Sequence, residues 1–474
     1  MHGRPTALPQ DSEVCQNLVE RALDRITGSR AIGNNRVRLL KDATENYPAW
    51  LDAIGAARRR IHFENYIVAD DDVGRMFADA LIERARAGIV VRLLYDWLGS
   101  FNQAGRGYWS RLRAAGIEVR CYNPPRAAAP LSWISRDHRK VITVDGSRGF
   151  VSGICVSRDW MGDPARGREP WRDTGIEIAG PGVAAIDRAF ATVWTRAGGV
   201  VPVAEAKEII ADAGHVAVRI LGQDRAKFGT YRADIMMASI AHNILWLTDA
   251  YFVATPTYIR SLADARADGV DVRLLVPGSS DIPTVQMMAR AQYRPLLDAG
   301  IRVFEWNGTM LHAKSAVCDG RWTRIGSTNL NLASWMANHE LDVLVEDADF
   351  ATRMEAQFLA DLERSTEIVR GPGGIHAATD RPYEARRGTG RALAASGLAM
   401  GQQVGNSFAR RRGLARVERK VAFWSGLALL AVAALAFFFP SLLALPLAAT
   451  LAWASVALLI KSVRRGDGSS VEEN

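Results

Sequence analysis

Apolar residues recur at helical spacing over 47–57 and 74–87, and short runs rich in Val, Ile and Leu lie between them. This alternation of helical and strand patterns predicts an α/β fold. The pattern also repeats. Residues 84–94 read RARAGIVVRLL and residues 265–275 read ARADGVDVRLL, each a helix end, a glycine cap and a β-branched strand. Tyr66-Ile67-Val68 matches Tyr251-Phe252-Val253, and the strand starting at Asp173 (DTGIEI) matches the one starting at Glu340 (ELDVLV). Two related α/β halves follow, 37–200 and 201–370, after an N-terminal segment 1–36. A site shared by two such halves belongs at their interface.

Beyond the halves the pattern changes. Residues 421–460 contain no charged residue. One helix of that length would reach about 60 Å, roughly twice the hydrocarbon thickness of a bilayer. Pro440 and Pro446 break it. The expectation is a transmembrane hairpin, 421–439 and 441–460, with a buried core hairpin as the bland reading and a re-entrant hairpin also open. Basic residues flank both ends: Arg410 to Lys420 before, and Lys461, Arg464 and Arg465 in the tail 461–474. Basic flanks favour the cytoplasmic side for both ends and for the body. Within 371–420, Leu393, Gly397, Met400, Val404 and Phe408 recur at helical spacing. They fit an amphipathic helix on an anionic surface, or a flexible linker given the neighbouring glycines.

Charge reinforces this division. The chain of 474 residues carries a formal net charge of +8, but 371–420 holds ten Lys/Arg against three acids, and residues 1–370 are left at +1. A nearly neutral body argues against a nucleic-acid partner. The polar N-terminus has no signal-peptide core. Cys15, Cys121, Cys155 and Cys318 lie far apart with no C-x-x-C pair, which fits free thiols in a reducing compartment and no cysteine metal site.

The chemistry concentrates in two segments, 137–156 and 311–330, that align without a gap. His138, Lys140 and Asp145 recur 174 residues later as His312, Lys314 and Asp319, and Ser152, Gly153 and Cys155 answer Gly326, Ser327 and Asn329. Residues two apart on a strand share a face, so each His points with its Lys. A single His-x-Lys is usually a surface feature. Two copies in register within a wider duplication would surround one cavity with two imidazoles and two ammonium groups. That suits a phosphate ester without a metal. Lys140 and Lys314 neutralise the non-bridging oxygens. One histidine attacks phosphorus to form a phosphohistidine, and the other serves as general acid and then general base. Ser327, Asn329 and Ser152 are candidate phosphate donors. Asp173 and Glu340 are candidates to bond imidazole Nδ1 and fix the tautomer. Asp145 and Asp319 complete the candidate set, although an Asp-Gly pair after a strand is a good turn in its own right, so they read as support. The thirteen tryptophans are explained by core packing or by an acyl-chain entrance, and none is assigned to the site.

The duplicated His-x-Lys-x4-Asp resembles the phospholipase D superfamily, and within it the bacterial cardiolipin synthases. The likeness spans roughly 36–370 and includes Asp137-His138-Arg139-Lys140, Trp171-Arg172-Asp173 and Gly326-Ser327-Thr328-Asn329-Leu330. It implies two phospholipase D-like α/β domains, each a mixed sheet flanked by helices, related by a pseudo-two-fold axis around one active site. It also implies cofactor-free, metal-independent phosphatidyl transfer, with His138 as nucleophile. The acceptor would be phosphatidylglycerol and the product cardiolipin, with glycerol released. The location would be the bacterial inner membrane. The chain departs from the family at three places: Ser152-Gly153-Ile154-Cys155 replaces Gly-Gly-x-Asn, Asn331 and Ala333 replace Asp and Arg, and the membrane hairpin is C-terminal. A hydrolytic phospholipase D, a superfamily nuclease and an inactive membrane scaffold are the alternatives. Sequence leaves the phosphatidyl donor and the oligomeric state open.

Overall fold

The structure is a computed structural model that describes residues 13–125, 135–202, 205, 210–223, 228–371, 374–378 and 453. Seven strands of the first half have seven counterparts in the second. The first set is β1 (Ile32–Lys41), β2 (Arg60–Asn65), β3 (Val90–Asp96), β4 (Glu118–Tyr122), β5 (Lys140–Val144), β6 (Arg148–Ser152) and β7 (Thr174–Ala179). The second is β8 (Val216–Gln223), β9 (Ile244–Thr248), β10 (Asp271–Pro277), β11 (Arg302–Trp306), β12 (Ser315–Cys318), β13 (Trp322–Gly326) and β14 (Glu340–Glu346). Two further strands, β15 (Ser365–Gly371) and β16 (Gly374–Ala377), extend the second half.

Within the halves the orders are β4-β3-β2-β5-β6-β7-β1 and β11-β10-β9-β12-β13-β14-β8. In each, the first three strands are parallel. Both are joined by helical crossovers, such as Asp72–Arg86 between β2 and β3. The remaining strands form antiparallel meanders. The duplicated glycine caps are where the repeat places them. Gly88 and Gly269 have φ of 86° and 100°, a region that only glycine enters without strain, and each ends a helix ahead of a core strand.

One expectation needs correction. The two mixed sheets are a single 16-stranded sheet, because the equivalent edge strands β1 and β8 pair antiparallel through Ile32 with Val218 and Asn35 with Val216. Edge strands present unpaired backbone groups, and pairing the two edges removes both. The pseudo-two-fold axis therefore passes between them.

Each half keeps its own core. In the first, Tyr47, Trp50, Phe63 and Phe77 interlock, with Tyr47 and Phe77 ring centroids 5.2 Å apart. In the second, Tyr258 and Trp335 play this part, with centroids 5.3 Å apart. A third cluster belongs to both. Val141, Val151 and Ile176 of the first half pack with Val317, Ile325, Leu341 and Val343 of the second. Burying one such side chain contributes roughly 1.5–3 kcal/mol relative to leaving it exposed. The halves therefore form one compact body. The helix Glu13–Thr27 joins it on the second half, where Leu23 is buried in that core and Arg219 pairs with Glu20.

A second compact unit, Asn123–Ser135 with Met400–Asn474, lies almost wholly outside the described residues. So do the expected linker 371–420, apart from its first residues, and the hairpin 421–460, apart from Trp453. Among the described residues, no helix is long and apolar enough to cross a membrane.

Candidate active site

Each His-x-Lys segment is extended and leads into a core strand, β5 in the first half and β12 in the second. Before reaching it, each pairs with the backbone of the opposite half. His138 N–H donates to His339 O at 2.9 Å and His339 N–H donates to Arg136 O at 2.8 Å. The pseudo-symmetric set repeats this: His312 N–H to Arg172 O at 2.7 Å, and Arg172 N–H to Met310 O at 2.9 Å. Asp173 and Glu340 are the next residues along those partner segments, so each is delivered to the histidine of the other half. His138 Nδ1 lies 3.0 Å from Glu340 Oε2, and His312 Nδ1 lies 2.8 Å from Asp173 Oδ2. A carboxylate accepts the Nδ1 proton, so the lone pair rests on Nε2, the atom from which an imidazole can attack or accept a proton.

The four motif side chains are buried, with His138 at 9% exposure and both lysines at 1%. Lys314 Nζ lies 3.0 Å from His312 Nε2 and donates to the His312 carbonyl. Lys140 Nζ donates to the carbonyl of His138. Burial pushes the His138 imidazole below the ordinary histidine range, against the pull of Glu340. Burial and then the Lys314 charge do the same to His312. Both rings are therefore neutral at pH 7 in the free protein. Burial would raise the two carboxyls, but the bonded histidines and nearby lysines bring Asp173 and Glu340 below their ordinary values, so both stay ionised. Burial lowers Lys314 to about 8.

Two pairs of residues beside the motif were not singled out for chemistry by the sequence. Tyr66 meets His138 edge-on at 4.8 Å, with Lys140 Nζ 5.0 Å from its ring centre. Its repeat partner Tyr251 meets His312 at 5.7 Å, with Lys314 Nζ also 5.7 Å from its ring. The matched Tyr-x-Val triplets were the available signal. Trp160 and Trp171 flank His312 at 5.1 and 5.8 Å, and Trp160 Nε1 donates to Asp173 Oδ2 at 2.9 Å.

The supporting candidates divide. Ser327 accepts from Leu341 N–H at 3.0 Å, and its hydroxyl helps hold Glu340 ionised. Asn329 places Nδ2 3.5 Å from Ser334 Oγ. Ser152 Oγ accepts from Ile154 N–H, within its own turn. The loss of the amide at Cys155 leaves a buried thiol that burial raises to about 11, so it stays protonated. Gly153 stands where the second copy has Ser327, and a Cβ there would come within 2.4 Å of Asp173 Oδ1. The first half thus gives its space to the carboxylate and the second half supplies a hydroxyl.

Asp145 and Asp319 are not brought to the histidines. They lie just past the far ends of β5 and β12, about 17 Å from the start of β5 in the case of Asp145. Asp145 accepts from the N–H groups of Arg58, Arg59 and Arg60, and Asp319 from those of His242, Asn243 and Ile244. Both have positive φ, 54° and 51°. Their work is to close the turn that feeds the parallel strands β2 and β9. Asp145→Ala is expected to lower unfolding free energy by about 2 kcal/mol in chemical denaturation, with kcat/KM within about threefold of wild type. A large loss of kcat/KM at unchanged stability would return Asp145 to the chemistry.

A family model described as "Cardiolipin synthase, PLD-like domain" matches residues 50–160 and 234–362, one segment in each half. Cardiolipin synthase 2 of Bacillus anthracis is 31% identical over 360 residues, covering 74% of this chain and 70% of that relative. Cardiolipin synthase A of Pseudomonas aeruginosa is 34% identical over 351 residues, covering 74% and 71%. Among solved structures, phosphatidylserine synthase of Haemophilus influenzae superposes with a TM-score of 0.60 at 14% identity, over 74% of this chain and 92% of that one. At that identity the likeness bears on the fold alone. The family match in both halves, together with relatives of this identity and coverage, places the chain in the cardiolipin synthase family of phospholipase D-like proteins.

Proposed function

We propose that this chain is a cardiolipin synthase that moves a phosphatidyl group onto phosphatidylglycerol through a phosphohistidine. The observation that carries the reading is the crossed pair of His-carboxylate contacts, with a buried lysine hydrogen-bonded to the carbonyl of each histidine. A phosphodiester between the two Nε2 atoms would sit in line with one imidazole and the leaving oxygen would face the other. In the first step a histidine Nε2 bonds to phosphorus, with His138 favoured by resemblance. The bond from phosphorus to glycerol oxygen breaks, and that oxygen takes a proton from the other imidazolium. In the second step the acceptor hydroxyl gives its proton to the same imidazole and bonds to phosphorus as the P–N bond breaks. The negative charge of the substrate favours protonation of the acid histidine. Lys140 and Lys314 hold the non-bridging oxygens.

Two phospholipase D-like domains at 37–200 and 201–370, a basic linker at 371–420 and a membrane hairpin at 421–460 would serve this chemistry. The catalytic body would then lie on the cytoplasmic face of the membrane that supplies both lipids. The full chain, in vesicles of phosphatidylglycerol with excess chelator, is expected to form cardiolipin and release glycerol in equal amounts. Phosphatidic acid as the sole product would identify a hydrolase, and no product from any phosphatidyl donor would overturn phosphatidyl transfer.

The lysine beside His312 sets an alkaline limit. With a value near 8, Lys314 loses its proton, and with it the charge that holds phosphate, as pH rises through that point. The log of kcat/KM is therefore expected to bend downward with a midpoint of about 8 and to approach a tenfold loss per pH unit above it. A profile flat to about pH 9.5 would show that this lysine stays charged in the free protein.

A further inference from the structure

The two halves differ in the loop that follows their second parallel strand. After β3, Asp96 is fully buried and accepts from Leu98, Gly99 and Asp137 N–H, with Arg136 also 3.2 Å away. That carboxylate is consumed by its own loop and by the segment that leads to His138. After β10 the chain runs Ser279-Ser280-Asp281, and Asp281 is partly exposed. Tyr251 Oη donates to Asp281 Oδ1 at 2.8 Å, and Ser280 Oγ lies 3.3 Å from the same atom. Tyr251 is the residue whose ring meets His312 and Lys314. Asp281 therefore stands one tyrosine ring away from the proposed acid-base centre, and Lys314 is among the charges that act on it.

From this placement we infer that Asp281, with the hydroxyls of Tyr251 and Ser280, recognises the glycerol hydroxyl next to the reacting one on the entering and leaving alcohol. The inference rests on the phosphatidyl transfer proposed above and adds what selects the alcohol. A carboxylate beside phenol and serine hydroxyls accepts from an alcohol and repels a phosphate, so this element does not bind the phosphodiester. The neighbouring Lys314 disfavours an ammonium headgroup at the same place. A neutral polyol remains. Tyr251 links the two groups, with its ring 5.7 Å from that of His312 and its hydroxyl 2.8 Å from Asp281 Oδ1. The leaving glycerol and the entering phosphatidylglycerol present the same diol, so one element serves both steps.

The test is an internal competition. The full chain, in phosphatidylglycerol vesicles with added ethanol, makes cardiolipin and phosphatidylethanol from the same phosphohistidine, and their ratio cancels differences in donor cleavage and in folded fraction. Asp281→Ala is expected to lower the cardiolipin to phosphatidylethanol ratio at least about tenfold, the worth of a hydrogen bond to a charged group. Asp281→Asn keeps shape and one acceptor, and is expected to lower it about threefold. It carries the test alone if the alanine variant fails to fold. Tyr251→Phe, which removes only the hydroxyl, should shift the ratio in the same direction. Ratios within twofold of wild type for both Asp281 variants would overturn the acceptor assignment and leave phosphatidyl transfer standing. A wild-type protein that makes neither product would overturn the transfer reading itself.

Discussion

Alanine at His138 or at His312 is expected to lower turnover by about four orders of magnitude each, because groups acting on one phosphorus are not independent. The two variants should differ in what accumulates. Without the nucleophile no covalent bond to phosphorus forms. Without the acid, a donor whose leaving group departs unprotonated still phosphorylates the remaining histidine, and the intermediate then persists because no base activates the acceptor. A phosphatidyl ester of a nitrophenol, followed by acid-free quenching and mass analysis, reads this directly. His312→Ala is expected to trap a phosphohistidine at residue 138, and His138→Ala to trap none. Intermediate in both variants, or near-normal turnover in either, would refute a single shared site. The double variant should be no slower than the worse single one.

The duplication was legible because its signal is local. His138 and His312 share spacing to lysine, aspartate and a small-residue turn, and such spacing survives without any knowledge of tertiary contacts. The α/β halves followed from the same repeat. What escaped is what depends on the halves meeting. Asp173 and Glu340 were legible as equivalent carboxylates, but a linear pattern cannot say which histidine each one serves. That depends on the bridges from His138 to His339 and from His312 to Arg172, between residues distant in sequence. Fusion of two sheets into one had no signature either, since no spacing in β1 or β8 names the strand each will pair with. Trp160 shows a different limit. It is 2% exposed and packs as a core residue should, yet its indole N–H holds the carboxylate that holds His312. Composition saw only the first of these tasks. Asp145 and Asp319 show the reverse case, a motif position whose geometry is that of a turn.

The crossed carboxylates lead to an unequal pair of effects. Asp173 has both oxygens committed: Oδ1 accepts from Thr174 N–H at 2.8 Å, and Oδ2 accepts from Trp160 Nε1 and from His312 Nδ1. An asparagine there can turn its oxygen to only one side. Turned to Trp160 and His312, the oxygen leaves an amide N–H against the Thr174 donor; turned to Thr174, it leaves one against the indole, while the imidazole relieves its own clash by moving its proton to Nε2. The second arrangement leaves His312 without an acceptor at Nδ1 and favours the wrong tautomer, with the proton on the atom that must receive one. Asp173→Asn is therefore expected to lower kcat by about three orders of magnitude, with KM changed far less. Glu340 is less constrained. Its two oxygens lie 3.1 and 3.0 Å from His138 Nδ1, and Asn338 Nδ2 is 3.4 Å from one of them. A glutamine can rotate to keep an oxygen toward the ring, so Glu340→Gln is expected to cost only about ten- to a hundredfold. Crossing also fixes the phenotype of each variant. Asp173→Asn should resemble His312→Ala and still accumulate the phosphohistidine from an activated donor, although Asp173 lies in the half that contains His138. Asp173 acting on its own half would instead make Asp173→Asn resemble His138→Ala and trap no intermediate. Trapping from the nitrophenyl donor in Asp173→Asn, beside the two histidine variants, distinguishes these wirings without any structural measurement.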